Sequence, residues 1–339
     1  MKRNSVELFA LGLFALCMFV SCVSTPPPQW AKNLEDVFPS DRYIAVAGTS
    51  DSRKTASQAA QTALSFYFRT QVSSRTDLAE SYRNQNGAVS QSVQLNQQML
   101  VQTATDLHNV RYTDPWRNPA TGLWESAAYI DREEAWAVYS PQAKKAADTF
   151  AQLFVGAQQD TDPFTRALRF GKAETYAAGE EFVTARNFAQ ILHQARAKAL
   201  FDEADGYRSA LPREAADARR NARVYLEIPF DLNGLIRNAA TTAFSDAGFP
   251  IAAESRGAAV ICVIEVDENP MPRPPGTGTF YQPKLSGKVT SLTGTRTAVF
   301  SFTVQAEVQS AIEPALARNR AYTALAQALR DTLPERLRE

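Results

Sequence analysis

The chain is short of the residues that carry most redox and metal chemistry. Three cysteines occur in 339 residues, and Cys17 and Cys22 lie at the N-terminal leader. That leaves Cys262 alone in the body, and an intramolecular disulfide needs two thiols. Imidazole comes only from His108 and His193, and neither HExxH nor paired CxxC spacing occurs, so no metal site and no cofactor is expected. GxSxG is absent as well, which removes the nucleophile elbow of an α/β hydrolase. With 36 basic against 36 acidic residues the net charge is zero, and nothing in the totals favours nucleic acid. No apolar run reaches the roughly 20 residues of a membrane-spanning helix.

What is present begins with an export signal. Lys2 and Arg3 precede 13 almost wholly apolar positions, residues 8–20, a length that suits a signal core rather than a span. Phe19-Val20-Ser21-Cys22 follows, and it resembles a lipobox with Phe where Leu is commoner. In that chemistry the Cys22 thiol accepts a diacylglyceryl group, small residues admit the peptidase, and the freed amine takes a further acyl chain. Two or more chains are what stable anchoring requires, each buried methylene adding about 0.8 kcal/mol. Residues 1–21 are then removed, leaving 34 basic against 35 acidic residues, and the partner is the membrane, reached through the lipid on Cys22. The alternatives are an ordinary secretory signal cut near Ser24 and an uncleaved anchor. Val23-Ser24-Thr25-Pro26-Pro27-Pro28 places a proline-rich tether at 22–29, a semi-rigid spacer holding the folded part off the membrane.

Hydrophobic periodicity orders the rest. A strand at 42–48 is closed by Gly48, and Ser50, Asp51 and Ser52 are competent N-caps for a helix with Ala56, Ala60, Ala63 and Tyr67 on one face. Residues 84–98 are rich in Asn and Gln and predict two helices, or one interrupted near Asn86-Gly87. Residues 109–117 and 123–131 form a hairpin about Asn118-Pro119-Ala120-Thr121-Gly122. Asp131 with Glu134 caps the next helix, which Ser140-Pro141 restarts. Residues 142–222 read as helix, broken at Asp162-Pro163, with Phe182, Ala185, Phe188, Ala189 and Leu192 on one stripe.

Beyond lie a strand at 224–230, a helix at 232–247 ending at Gly248, and a strand at 258–266. A hairpin of 279–293 with 297–309 and a helix at 314–333 through Leu316, Tyr322, Leu325 and Leu329 complete the chain. The expected fold class is α+β, with two domains (30–145 and 223–339) of helices packed on a small antiparallel sheet, joined by a helical segment at 146–222.

Few residues invite a chemical role. Gly48-Thr49-Ser50-Asp51-Ser52-Arg53-Lys54-Thr55 misses the phosphate-binding pattern GxxxxGK[ST] at its second glycine, where Arg53 stands; helix capping explains the same residues. Cys262 sits in Ala258-Ala259-Val260-Ile261-Cys262-Val263-Ile264, the pattern of a buried strand and an inert thiol. Glu133-Glu134 and Glu180-Glu181 fall on charged helices and read as solvated faces. Residues 269–279 hold four prolines and two glycines and read as an exposed loop. Aromatics gather around the first hairpin as Tyr112, Trp116, Trp124, Tyr129 and Trp136. Trp116 and Trp124 flank its turn and are either core or a contact surface for glycan or protein.

Several of these residues resemble a known family. Pro28-Gln29-Trp30 after a lipobox, Tyr43-Ile44-Ala45-Val46-Ala47-Gly48 with an Ala-spaced helix, Leu107-His108-Asn109-Val110, Trp116, and Trp124-Glu125-Ser126-Ala127-Ala128-Tyr129-Ile130 are similar to the LPP-twenty family of bacterial lipoproteins, over about residues 28–145. The resemblance implies a non-enzymatic domain of helices on a small antiparallel sheet, in outer-membrane or surface lipoproteins, some associated with flagella or adhesion. Residues 160–339 lie outside it. The expectation is an outer-membrane lipoprotein with a non-catalytic structural or interaction role, an envelope or flagellar protein as partner, and no small-molecule ligand. The alternative is an envelope lipoprotein that binds glycan or lipid.

Overall fold

The computed structural model describes residues 26–83, 109–271, 276, 278–293 and 296–337. The leader, Cys22 and the expected helices around 84–98 lie outside them. The chain divides into two compact units, Met1–Tyr139 with Ile191–His193, and Ser140–Gln190 with Gln194–Glu339.

In the first unit two single-turn helices, α1 (Gln29–Lys32) and α2 (Leu34–Val37), precede strand β1 (Tyr43–Ser50) and the long helix α3 (Arg53–Arg83). Short strands β2 (Arg111–Tyr112) and β3 (Trp116–Arg117) follow, then β4 (Trp124–Asp131) and helix α4 (Arg132–Gln159), which continues into the second unit. β4 is central and antiparallel to β1 on one side and to β2 and β3 on the other. The Ser52 hydroxyl accepts the Lys54 N–H at 3.2 Å, satisfying a donor that the first turn of α3 leaves open. α3 packs on β1 and β4 and buries Ala56, Ala60, Leu64 and Phe68. The expected face was thus rotated slightly, since Ala63 and Tyr67 are only partly covered. Gly48 stands inside β1 rather than closing it, and a Cβ there would overlap backbone atoms of Ala59 and Ala60.

The other face of this sheet carries an aromatic cluster. Trp30, Phe38 and Ala127 are its buried centre, with Leu34, Val37, Tyr43, Trp116 and Tyr129 packed around them. Phe38 lies over Tyr129 at 4.2 Å between ring centroids, and Tyr43 meets both edge-on at 5.6 and 5.9 Å, a geometry the ring quadrupoles favour.

Asp131 caps α4 by accepting the Glu133 N–H at 2.9 Å and the Glu134 N–H at 3.3 Å. The reciprocal half of a capping box is missing, because the Glu134 carboxylate takes both its bonds from Arg111 at 2.8 and 2.9 Å. Helix does not restart at Ser140-Pro141: α4 runs through Pro141 unbroken. The ring costs one backbone hydrogen bond, and the buried seam Ala143, Ala147, Phe150, Phe154 and Ala157 that follows outweighs it.

The second unit continues with α5 (Pro163–Ala178), α6 (Glu180–Leu192) and α7 (Gln194–Asn221). Next come β5 (Val224–Glu227), α8 (Leu235–Asp246) and β6 (Val260–Asp267). The chain ends with β7 (Pro270–Met271), β8 (Thr279–Tyr281), β9 (Lys284–Ser291), β10 (Ala298–Gln305), β11 (Gln309–Ala311) and α9 (Pro314–Arg336). Its main sheet runs β10-β9-β6-β5. Pairing is antiparallel except between β5 and β6, which are parallel because α8 carries the chain back across the sheet. The single long hairpin expected over 279–309 divides in two. Pro283, which has no N–H for the ladder, separates β8 from β9, and β8 pairs instead with β7 and β11 in a three-stranded sheet. α8 and α9 pack together, burying Ile236, Phe244, Tyr322, Leu325 and Leu329, while Leu316 stays exposed.

The break at Asp162-Pro163 is sharply built. Asp162 caps α5 through the Thr165 N–H at 2.8 Å, and its second oxygen accepts from the hydroxyls of Ser291, the last residue of β9, and Thr293 just beyond it. Burial by itself would raise the Asp131 and Asp162 carboxyls. The N–H groups of Glu134 and Glu133 with the Arg42 guanidinium outweigh it at Asp131, and Ser291, Thr165 and Thr293 outweigh it at Asp162, so both are held below the ordinary value. A carboxylate lowered in the folded state stabilises the fold above its unfolded pKa, about 3.9, and loses that contribution as pH falls through the lowered value. Thermal melts should therefore be flat from neutral pH down to about pH 5 and fall steeply below about pH 4. Asp131→Ala should cost about 1–2 kcal/mol at pH 7 and shrink the acid-dependent loss. An acid limb identical to that of the unsubstituted chain would contradict this.

Candidate functional site

β2 and β3 are set off from one another by one residue in their pairing with β4. Tyr112 lies opposite Ala128, whereas Trp116 lies opposite Glu125. The intervening residues 113–115 form a bulge containing Pro115, and Thr113 stitches it down. Its N–H donates to the Ala127 carbonyl at 2.9 Å, its hydroxyl accepts the Ala127 N–H at 2.9 Å, and its carbonyl accepts the Ser126 hydroxyl at 3.0 Å. A bulge re-aims the side chains beyond it, and here it turns Trp116 into the aromatic cluster beside Trp30.

The turn closing the hairpin carries the second expected tryptophan. Asn118 and Leu123 close it through an N–H to carbonyl bond of 2.8 Å, and Gly122 takes a φ of +72°. Arg117 Nε donates to the Gly122 carbonyl at 3.2 Å. Trp124 lies opposite Ser50 on one side and Arg117 on the other, and the Arg53 guanidinium sits 5.7 Å from its ring centroid. Along β4 alternate residues face opposite ways, so Trp124 and the Glu125 that pairs with Trp116 point to opposite faces. Both tryptophans nevertheless border one groove of about 840 Å³ at the turn end of the sheet. Trp30, Arg53, Pro26 and Pro28 complete the part that matters for its chemistry.

The last two prolines bear on the tether. The Pro28 carbonyl accepts the N–H groups of Ala31 at 3.0 Å and Lys32 at 3.3 Å, so this end of the proline run is already part of the fold. It lies in the groove wall rather than serving wholly as spacer.

Other sequence candidates fall elsewhere. The expected gathering of aromatics separates: Tyr129 joins the cluster, Tyr112 is exposed, and Trp136 on α4 meets His193 edge-on at 5.6 Å. Glu133 and Glu134 are exposed, as a solvated face should be, with Arg111 bonded to the Glu134 carboxylate and His193 Nε2 3.3 Å from Glu133 Oε1. Glu180 and Glu181 occupy the first turn of α6, where a negative charge suits the helix dipole. His108 lies outside the described residues. The Gly48 to Thr55 stretch forms no phosphate cradle: its glycine is packed against α3 and Arg53 is turned to Trp124. Cys262 is buried, and burial pushes its thiol up to about 12, which leaves no thiolate at neutral pH. The 269–279 loop begins as strand β7, and residues 272–275 and 277 lie outside the described set. Among the described residues no group of three or more His, Cys, Asp or Glu side chains converges on a metal position, and no helix is long and apolar enough to cross a membrane.

The second unit holds a groove that sequence reasoning missed. It measures about 980 Å³ and lies where the β10 edge, at Phe300, meets α4, α5 and the end of α9. Leu153, Leu168, Arg169, Lys172 and Arg336 line it. Those residues are spread over 184 positions, from Leu153 to Arg336, so no local pattern announces it.

No protein-family model and no curated protein matches the chain. The resemblance of residues 28–145 to the LPP-twenty family therefore stands on its motifs alone. Three solved structures are similar to it in part. A candidate lipoprotein from Caulobacter crescentus is 15% identical, covers 34% of this chain and 87% of its own, and has a TM-score of 0.25. A secreted protein from Helicobacter pylori is 12% identical over 85% of this chain and 96% of its own, with a TM-score of 0.30. A minor lipoprotein from Acinetobacter baumannii is 13% identical over 35% of this chain and 89% of its own, with a TM-score of 0.23. Likeness at that level carries no argument about this chain's fold or role.

The two tryptophans should respond differently to truncation. Trp116 packs in the aromatic cluster, so Trp116→Ala should cost about 2–4 kcal/mol, near the range for core aromatics. Trp124 is half-buried outside that cluster with the Arg53 guanidinium over its ring, a contact worth about 0.5–1 kcal/mol, and Trp124→Ala should cost less than Trp116→Ala. Urea unfolding of both variants checks the difference, and equal losses would contradict it.

Proposed function

We propose that the protein is a lipid-anchored envelope lipoprotein of the outer membrane that acts by contact rather than catalysis, with the tryptophan groove of the first unit as its contact surface. The observation that carries this reading is the groove itself. Trp30, Trp116 and Trp124 come together beside Pro26, four residues from Cys22. Large aromatics with an arginine at a concave surface are the composition in which contact energy concentrates. The lipobox-like Phe19-Val20-Ser21-Cys22 supplies the attachment, and the LPP-twenty resemblance supports both the envelope location and a structural or adhesive role, including one beside flagella.

Photo-crosslinking in intact cells tests the contact surface. A photoreactive residue at position 124 should give adducts, and one at position 66, where Phe66 is exposed on α3 away from the groove, should not. Adducts from position 66 alone, or from neither, would overturn the assignment of the groove.

A further inference from the structure

The occupant of the groove follows from where the anchor leaves the chain. Pro26 lies in the groove wall, and Cys22 precedes it by four residues, which span at most about 14 Å fully extended. A lipid on Cys22 therefore brings the groove within reach of the membrane surface, whose polar headgroup zone is only about 5–8 Å deep on each side. The groove's composition suits that zone. Trp116 and Trp124 are partly uncovered, and tryptophan concentrates at membrane–water interfaces because its ring is apolar with a polar N–H. Arg53 and Arg117 line the same groove and are exposed, against one acidic residue, Asp114. Guanidinium is the side chain best matched to phosphate oxygens.

We propose that this groove docks on the phospholipid surface of the membrane that holds the anchor. The uncovered edges of Trp116 and Trp124 enter the headgroup–acyl boundary, and Arg53 and Arg117 bind lipid phosphates. Trp30 is the buried floor that holds Trp116 in place. The first unit then lies on the bilayer instead of swinging above it on a spacer. The positional part of the argument rests on lipidation at Cys22.

The test uses the full mature chain with Cys22→Ser, so that no acyl chain contributes to binding. Its probes are vesicles of equal parts phosphatidylglycerol and phosphatidylcholine, and vesicles of phosphatidylcholine alone. Sedimentation should show binding to the anionic vesicles, and brominated lipid should quench tryptophan fluorescence. Arg53→Glu with Arg117→Glu should lower the affinity by about tenfold or more, since each basic residue near such a surface contributes about 1 kcal/mol. Trp124→Ala should weaken binding with little change in melting temperature. Absence of binding to anionic vesicles would overturn the proposal. So would binding left unchanged by the double arginine substitution in a variant that melts normally, or capture of soluble peptidoglycan fragments without capture of vesicles. Failure of fatty-acid labelling at Cys22 would remove the anchor and leave the vesicle result standing, so the two ideas fail separately.

Discussion

Gly48→Val should unfold the first unit's sheet-on-helix layer. β1 and α3 approach so closely that the position of a Cβ on residue 48 is already occupied by backbone of Ala59 and Ala60. A side-chain clash can be relieved by a rotamer change, but here either the helix or the strand must move. Moving α3 away uncovers Ala56, Ala60, Leu64 and Phe68, all buried. Overpacking in a tight core costs about 1–3 kcal/mol and occasionally more, and this site belongs at the upper end because both obstructing groups are main chain. Gly48→Ala should already be strongly destabilising. Gly206, within α7, is the control: a Cβ there meets nothing within 4 Å, and Gly206→Ala should stabilise by up to about 1 kcal/mol through helix propensity. Hydrogen exchange over residues 43–71 and 124–131 reads the first effect locally. Native protection in Gly48→Val would mean that the helix does not rest on the strand as described.

Much of this layer was legible because periodicity and capping are local. The first strand, though it runs on to Ser50 past the expected end at Gly48, the capped helix after Ser52 and the helix break at Asp162-Pro163 all emerge near the expected places. The helix face was nearly right: Ala56 and Ala60 are buried, but the stripe continues by fours through Leu64 and Phe68, since the larger apolar residues claim the sheet. What failed was decided by partners distant in sequence. The parallel pairing of β5 with β6 and the splitting of the long hairpin at Pro283 depend on where α8 and β7 dock. The groove behaves the same way. Trp116 and Trp124 stood out as turn-flanking aromatics, while Trp30 and Arg53 join them only through packing. In the sequence Arg53 stands only as the residue that spoils a phosphate-binding pattern. The one-residue offset at 113–115, which aims Trp116 at Trp30, has a faint signal in Pro115, a residue that cannot donate to a ladder.

Cys22→Ala carries the other large expected effect, because it separates an anchored protein from an unanchored one. The thiol is the only atom of the Phe19-Val20-Ser21-Cys22 sequence that can accept the diacylglyceryl group, and alanine has no substitute for it. Two or more acyl chains hold a protein on a bilayer stably, whereas one chain gives only reversible binding, with a constant of about 10⁴ M⁻¹. Losing the acceptor removes them all. Metabolic labelling of cells with a clickable fatty-acid analogue, followed by capture of the chain, is the most direct measurement of whether this is an anchored contact protein. The account predicts label on the wild-type chain, with the leader removed immediately before Cys22, and an unlabelled Cys22→Ala chain that retains residues 1–21. Label surviving in Cys22→Ala, or an unlabelled wild-type chain cut near Ser24, would contradict it.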